Sequence, residues 1–160
     1  MTTGQVVGLV VGIVIAVLVM QLLIWIPVIR WLRKKNARMV AQLGEEVAAL
    51  GERPLMGPGP GLFGGGTGTF PFVSGNGVGV LTDRRFVFRL FVGKDVDIAM
   101  DRVAGVREAK WFRSKYRGGR LFLIVQTRDG SEAGFIFPDH AAWMSAMRAL
   151  VPEIAQATAS

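Results

Sequence analysis

The first pattern along the chain is an apolar run over residues 6–29, which contains 24 residues, no charged side chain and one strongly polar residue, Gln21. A helix of that length measures about 36 Å, and the hydrocarbon core of a bilayer is roughly 30 Å thick. Trp25 and Trp31 stand at the C-terminal end of the run, where indole rings favour the membrane interface. The pattern predicts one transmembrane helix over this run, preceded by a short tail, residues 1–5.

Basic side chains follow this run directly and none precedes it; they are Arg30, Arg33, Lys34, Lys35 and Arg38. The positive-inside rule therefore predicts that the N-terminus lies outside and that the rest of the chain is cytoplasmic. A cleaved signal peptide would carry basic residues before a shorter apolar run and small residues at a cleavage site. We expect an uncleaved single-pass anchor in the cell (inner or plasma) membrane. Its basic cluster would attract anionic lipids by about 1 kcal/mol per side chain.

Small residues recur at every fourth position near the start of the run, and Gly8 and Gly12 belong to this series. The spacing allows two membrane helices to approach closely, although glycine is also common in membrane helices that have no partner. A homodimer formed through the helix and an unpartnered helix are both consistent with this pattern.

Apolar positions at helical spacing continue beyond the basic cluster as far as Leu50. They predict a basic juxtamembrane stalk over residues 30–44. For the segment that follows, two interpretations stay open: the helix continues to Leu50, or Glu45–Val47 begins the first strand of a domain.

Glycine and proline dominate residues 57–79. No Lys-Ser/Thr pair follows, as a phosphate-binding loop would require. The composition predicts a flexible insert whose aromatic rings pack back onto the domain, namely Phe63, Phe70 and Phe72.

From residue 77 onward, short runs rich in Val, Ile and Phe alternate with turn residues, a pattern typical of antiparallel β structure. The predicted strands are Gly77–Leu81, Arg85–Leu90, Asp95–Met100, Ala104–Lys110, Arg120–Thr127 and Glu132–Phe137. Asp129-Gly130 predicts a hairpin turn between the last two. A helix is expected next, with Asp139 as N-cap and an apolar stripe of Ala142, Trp143, Ala146, Met147 and Leu150. Residues 151–160 are expected to form a flexible tail.

Four segments of this region resemble GRAM and bacterial pleckstrin-homology-like domains. They are Leu81–Phe88 (LTDRRFVF), residues 98–106 (IAMDRVAGV), Asp129-Gly130 before a strand, and Trp143 on the last helix. Glu45–Val47 is similar to the family's first strand, and the resemblance covers residues 45–150. It implies a mainly β (α+β) fold, in which an antiparallel β-sandwich or partly open barrel is capped by one C-terminal helix. Such domains bind lipids in some settings and proteins in others.

The net charge of +7 is concentrated in the basic cluster, because the chain from Ala41 onward holds 14 basic and 12 acidic residues. This distribution argues against a basic nucleic-acid-binding domain. The absence of cysteine excludes thiol nucleophiles, disulfides and thiolate metal sites.

The densest charge in the predicted domain lies over residues 107–120, where six basic side chains accompany one acidic side chain. Aromatic residues alternate with the cations, a combination that suits the headgroup layer of a membrane. The candidate lipid- or anion-binding residues are Lys110, Trp111, Arg113, Lys115, Tyr116, Arg117 and Arg120. In the alternative interpretation, Trp111 or Phe112 packs in the core and the cations form a solvated loop. Single-stranded nucleic acid also suits such a mixture, but the membrane tether argues against it.

Other polar groups are expected to serve the fold. Asp95, Asp97 and Asp101 lack a metal-binding loop and are interpreted as solvated strand positions. His140 follows Asp139, but adjacent residues at a helix start rarely face each other, so a capping role is favoured. We therefore expect no enzyme activity, no cofactor and no metal. The sequence predicts a membrane-anchored module that contacts anionic lipid headgroups through residues 110–120; the alternative is a membrane-tethered protein-interaction or scaffold domain.

Overall fold

The computed structural model describes residues 3–151, and side chains from residue 10 onward. The chain divides into two compact units, one ending at Ala37 and the other beginning at Arg38. The predicted C-terminal tail lies outside the described residues except for Val151, which is buried in the core. Residues 1 and 2 of the predicted N-terminal tail also lie outside, whereas helix α1, Thr3–Ala49, includes the rest of that tail.

The N-terminal part of α1 carries the apolar run. Side chains from residue 10 to residue 34 are all exposed, and the mean hydropathy of the most apolar window is 2.7. Among the described residues this is the one helix that is long and apolar enough to span a membrane. Gly12 faces open space. The surroundings of Gly8 lie outside what the structure describes. Helix self-association therefore stays a prediction.

The C-terminal turns of α1 belong to the second unit. Leu43 and Val47 lie on one helix face and are each 2% exposed, because they pack against Val78, Val80 and Val87 of the sheet. The predicted continuation of the stalk as a helix is therefore confirmed. The alternative, a first strand at Glu45–Val47, is wrong because these apolar residues meet the sheet at the four-residue spacing of a helix.

Nine strands, a short 3-10 helix and a second α-helix follow. The strands are β1 Pro54–Gly66, β2 Gly75–Thr82, β3 Arg85–Leu90, β4 Val96–Ala99, β5 Val103–Ala109, β6 Trp111–Phe112, β7 Lys115–Tyr116, β8 Phe122–Thr127 and β9 Glu132–Ile136. The 3-10 helix is Met100–Arg102, and helix α2 is His140–Leu150. Seven strands form one antiparallel sheet in the order β4-β3-β2-β1-β9-β8-β5, which is not a closed barrel, and β6 pairs with β7 in a separate small sheet. The mainly β fold with one C-terminal helix is confirmed.

The glycine-rich stretch is the centre of the sheet, so the predicted flexible insert over residues 57–79 is wrong for most of its length. β1 pairs with β2 along one edge and with β9 along the other. Packing requires several of the glycines in β1 and β2: a Cβ on Gly64 would lie 2.6 Å from the Phe122 ring, and one on Gly79 would lie 2.9 Å from the Phe137 ring. Large rings thus occupy the space that side chains of β1 and β2 would take.

The sheet bends so that its two halves face each other. β3 and β9 are separated by two intervening strands, which in a flat sheet would place them about 14 Å apart. Nevertheless the ring centroids of Phe86 on β3 and Phe135 on β9 are 4.8 Å apart. The enclosed core is rich in aromatic rings, and Phe63, in the C-terminal half of β1, is fully buried in it.

Helix α2 closes this core. Trp143 stacks on Phe137 with a centroid separation of 3.9 Å, and Met147 is fully buried. Asp139 precedes the helix as predicted, but its side chain makes no capping hydrogen bond.

The predicted Asp129-Gly130 turn is confirmed. The pKa of the Asp129 carboxyl is lowered, mainly by the hydrogen bond that it accepts from the Thr127 hydroxyl and next by the one from the Ser131 backbone N–H.

An ion-pair network fixes the end of α1 to the sheet. Arg85 of β3 binds Glu46, Glu52 and Asp97, and the neighbouring Arg89 binds Glu46 and Asp95. The Asp95 and Asp97 side chains are 38% and 48% exposed, in line with the solvated positions that the sequence suggested, and each also pairs with an arginine.

Candidate functional site

The residues predicted to bind anions form a hairpin, β6–β7, inserted between β5 and β8. Trp111 pairs with Tyr116 and Phe112 pairs with Lys115. The two turn residues, Arg113 and Ser114, have φ values of 50° and 59°. Two consecutive left-handed residues make the turn that matches the twist of a two-residue hairpin. Glycine or asparagine usually fills these positions, so Arg113-Ser114 was not recognised as a hairpin turn from the sequence.

Alternation along the hairpin decides which aromatic ring is buried. Phe112 is 4% exposed and packs with Phe122, Ile124 and Ile136 on the outer face of the sheet. Its ring fits there because Gly134 lacks a side chain; a Cβ on Gly134 would lie 2.4 Å from Phe112. The part of the alternative interpretation that placed Phe112 in the core is confirmed.

Trp111 and Tyr116 lie on the opposite, outward side. Their side chains are 62% and 49% exposed, and their ring centroids are 5.0 Å apart. Large aromatic rings are less favourable in water than in a buried environment, and an exposed apolar patch typically marks a contact surface. The hairpin is therefore a supported platform that presents an aromatic pair to its surroundings.

Two of the predicted cations are directed inward. Arg113 donates a hydrogen bond to the Phe72 carbonyl oxygen at 2.9 Å, and its guanidinium lies 3.4 Å from the centroid of the Phe72 ring. Lys115 Nζ donates to the Gly64 carbonyl oxygen and to Ser74 Oγ, both at 3.2 Å. These bonds attach the hairpin to β1 and to the loop between β1 and β2.

Lys110, Arg117 and Arg120 are the cations of the hairpin region that face solvent. Within residues 3–151, none of the three has a carboxylate at ion-pair distance. Their charges are thus accessible to an external anion. Together with Trp111 and Tyr116 they make up what we call the hairpin face.

The loop between β1 and β2 adds an apolar tip that the sequence did not indicate. Phe72 is 76% exposed and Val73 is 74% exposed. Of the three rings predicted to pack back on the domain, Phe63 and Phe70 do so, but Phe72 does not. Phe72 is instead kept at the surface by its contact with Arg113. The two residues are 41 positions apart, so the local sequence does not predict this contact.

The juxtamembrane cations form a second basic region, located in α1. Arg30, Arg33, Lys34 and Arg38 are exposed, and Lys35 Nζ lies 5.4 Å from the Trp31 ring centroid.

His140 is not directed at Asp139. Its Nε2 lies 3.1 Å from Glu108 Oε2, which joins the start of α2 to the end of β5. Over residues 3–151, no group of three or more His, Asp or Glu side chains is placed to hold a metal ion. His140 of α2 is therefore paired with Glu108 of β5.

No family model matches the chain. No curated protein matches it in sequence. Among solved structures, the chain is similar to the C-terminal domain of an unknown protein from Leishmania infantum, with 13% sequence identity and a TM-score of 0.47. The similarity covers 69% of this chain and 96% of that one. The description of that domain names neither activity nor ligand.

Proposed function

We propose that this protein is a single-pass membrane-anchored binding module of the pleckstrin-homology-like type, without catalytic activity, whose hairpin face contacts anionic lipid headgroups. The observation that carries the proposal is the composition of that face. Exposed Trp111 and Tyr116 lie among the unpaired cations Lys110, Arg117 and Arg120, and buried Phe112 supports them from beneath.

Each component of the face matches one layer of a membrane surface. Tryptophan and tyrosine rings favour the boundary between headgroups and acyl chains. Basic side chains near an anionic leaflet gain about 1 kcal/mol each. The neighbouring Phe72 and Val73 provide further exposed apolar surface. A protein partner would also bury such residues, but it would not require three cations that lack carboxylate partners.

Strand order supports the pleckstrin-homology-like assignment. In the main sheet, strands β4-β3-β2-β1 are followed by β9-β8-β5. The sheet bends around an aromatic core, and the C-terminal helix packs against that core. This arrangement agrees with the partly open barrel and capping helix that the sequence resemblance implies.

The anchor is assigned to the apolar run of α1. Five basic residues follow the run, and Trp25 and Trp31 mark its end. A cleaved leader would leave no anchor, but the length of the run and its basic flank favour retention. The positive-inside rule then places the β domain in the cytoplasm, where anionic lipids are concentrated.

A single fluorophore on the hairpin tests the proposal. The chain has no cysteine, so Ser114→Cys can be labelled uniquely with an environment-sensitive dye in the full chain reconstituted into nanodiscs. We expect a blue shift of the emission in anionic nanodiscs, reversed by salt, and none in neutral nanodiscs. The same dye at exposed Ser145→Cys on α2 serves as the control position. Unchanged emission in anionic nanodiscs, and also after anionic vesicles are added, would reject lipid contact and favour a protein partner.

A charge-reversal pair identifies the residues responsible. Arg117→Glu/Arg120→Glu should abolish the blue shift, because it removes two accessible cations without touching the inward-directed Lys115 and Arg113. The control, Arg128→Glu/Arg148→Glu, changes the net charge equally at exposed positions away from the hairpin. An equal loss in both pairs would show that only total charge matters and would contradict the assigned face.

A further inference from the structure

A tight turn places the two arginines of the hairpin face side by side. Gly118 and Gly119 have φ values of 59° and 82°, and the Arg120 N–H donates to the Arg117 carbonyl oxygen at 3.1 Å. In such a turn the first and fourth Cα atoms lie within about 7 Å of each other. Because both central residues are left-handed, glycine is the residue that adopts this conformation without strain.

Two adjoining depressions lie beside this turn. The first is an open depression of about 410 Å³, lined by Leu62, Tyr116, Arg117, Gly118, Arg120 and Ile136. The second encloses about 420 Å³ and shares Arg120 and Ile136, adding apolar wall from Leu121, Phe137 and Pro138. The Tyr116 hydroxyl is directed toward the turn, since it lies 3.7 Å from the point that a Cβ of Gly119 would occupy. Two arginines and a tyrosine thus line the first depression together with the apolar residues Leu62 and Ile136.

This arrangement suits an anion that carries an apolar chain. A guanidinium forms two parallel hydrogen bonds with a pair of oxygens on one phosphate. A phosphodiester has only two terminal oxygens, enough for one such pairing. A phosphomonoester has three terminal oxygens and a charge of about −1.5 to −2 at neutral pH, so it can engage both arginines.

We propose that Arg117, Arg120 and Tyr116 form a site selective for a phosphomonoester headgroup, with phosphatidic acid as the lipid class, whose proximal acyl segment lies on the floor formed by Leu62 and Ile136. This inference rests on the proposed function, but it is more specific. The proposed function needs only negative surface charge, whereas this site distinguishes a monoester from a diester.

Short-chain soluble lipids test the site in the intact protein. The full chain in neutral nanodiscs is titrated calorimetrically with dihexanoyl phosphatidic acid, dihexanoyl phosphatidylglycerol and glycerol 3-phosphate. We expect phosphatidic acid to bind about tenfold more tightly than phosphatidylglycerol, since a second charge-assisted pairing contributes about 1.4 kcal/mol. Glycerol 3-phosphate should bind more weakly than phosphatidic acid because it lacks the acyl chains.

A conservative variant separates geometry from charge. Arg117→Lys/Arg120→Lys keeps both charges but removes the planar forks, so it should lose the preference for the monoester while the dye at Ser114→Cys still shifts in anionic nanodiscs. Arg128→Lys/Arg148→Lys, at exposed positions elsewhere, should keep the preference.

The outcomes distinguish the two proposals. Equal affinity for phosphatidic acid and phosphatidylglycerol would overturn the selective site and leave the general anionic contact intact. Equal affinity for phosphatidic acid and glycerol 3-phosphate would overturn the acyl contact and assign a soluble phosphomonoester. Monoester preference without any dye response in anionic nanodiscs would reject the proposed function and retain the phosphate site.

Discussion

Arg85 is the residue on which the attachment of α1 to the sheet most depends. Its side chain is 17% exposed and contacts three carboxylates. One of them, Glu52, is 7% exposed, and its Oε2 has no hydrogen-bond partner among the described residues. Among the described residues, Arg85 is the cation that pairs with this buried carboxylate.

Removing this guanidinium should leave a buried carboxylate without its cation. We expect Arg85→Met to lower the free energy of unfolding by about 3 kcal/mol, the usual effect of breaking a buried ion pair on one side. Urea denaturation of the detergent-solubilised chain, followed by circular dichroism, measures the change. The neighbouring Arg84 is exposed, so Arg84→Met should leave the midpoint nearly unchanged. Matching midpoints for the two variants would show that the network contributes nothing.

For individual residues, the sequence identified the candidate binding residues but not the orientation of their side chains. Alternation in a two-stranded hairpin fixes which of Trp111 and Phe112 is buried, but only once the turn is known. The turn residues Arg113 and Ser114 have no usual preference for left-handed backbone, so the choice between the two rings stayed open. Likewise, the long-range bonds of Lys115 to Gly64 and Ser74 leave no mark on the local sequence.

Among the elements, β3 was predicted with the bounds that the structure has, Arg85–Leu90, because turn residues and a dense apolar pattern define both ends. β1 was missed because its composition is that of a loop. Of its 13 residues, most are glycine or proline, residues disfavoured in strands. What makes it a strand is pairing with β2 and β9 and the rings that fill the space above its glycines.

This explanation predicts opposite effects for two glycines of the same strand. Gly64→Ala places a Cβ against Phe122, so it should lower the free energy of unfolding by about 2 kcal/mol, as overpacking does. Gly59→Ala meets no atom within 4 Å and should be neutral or stabilise by about 0.5 kcal/mol. Thermal unfolding of both variants in detergent provides the comparison. Partial rescue of Gly64→Ala by Phe122→Leu would identify the ring as the cause. An unchanged free energy of unfolding in both glycine variants would contradict the explanation.

For the whole molecule, the charge asymmetry around the apolar run predicts the direction in which the chain crosses the membrane. In intact spheroplasts, a single cysteine at Ser145→Cys should be protected from a membrane-impermeant maleimide, and one at Thr2→Cys should react. Both sites are unique because the chain has no cysteine. Protein that stays in the membrane pellet after alkaline extraction would show that the run is retained as an anchor. The reverse labelling pattern would invert the topology and place the hairpin face outside the cell.

The position of β1 between β2 and β9 also sets an order of events during synthesis. Leu62 of β1 pairs with Ile136 of β9, roughly seventy residues later in the chain, so at about 5–20 residues per second one edge of β1 waits for several seconds as an open strand edge. Open edges invite pairing with other nascent chains, and glycine and proline oppose it. The composition that conceals this strand in the sequence thus protects the growing polypeptide until its own partner leaves the ribosome.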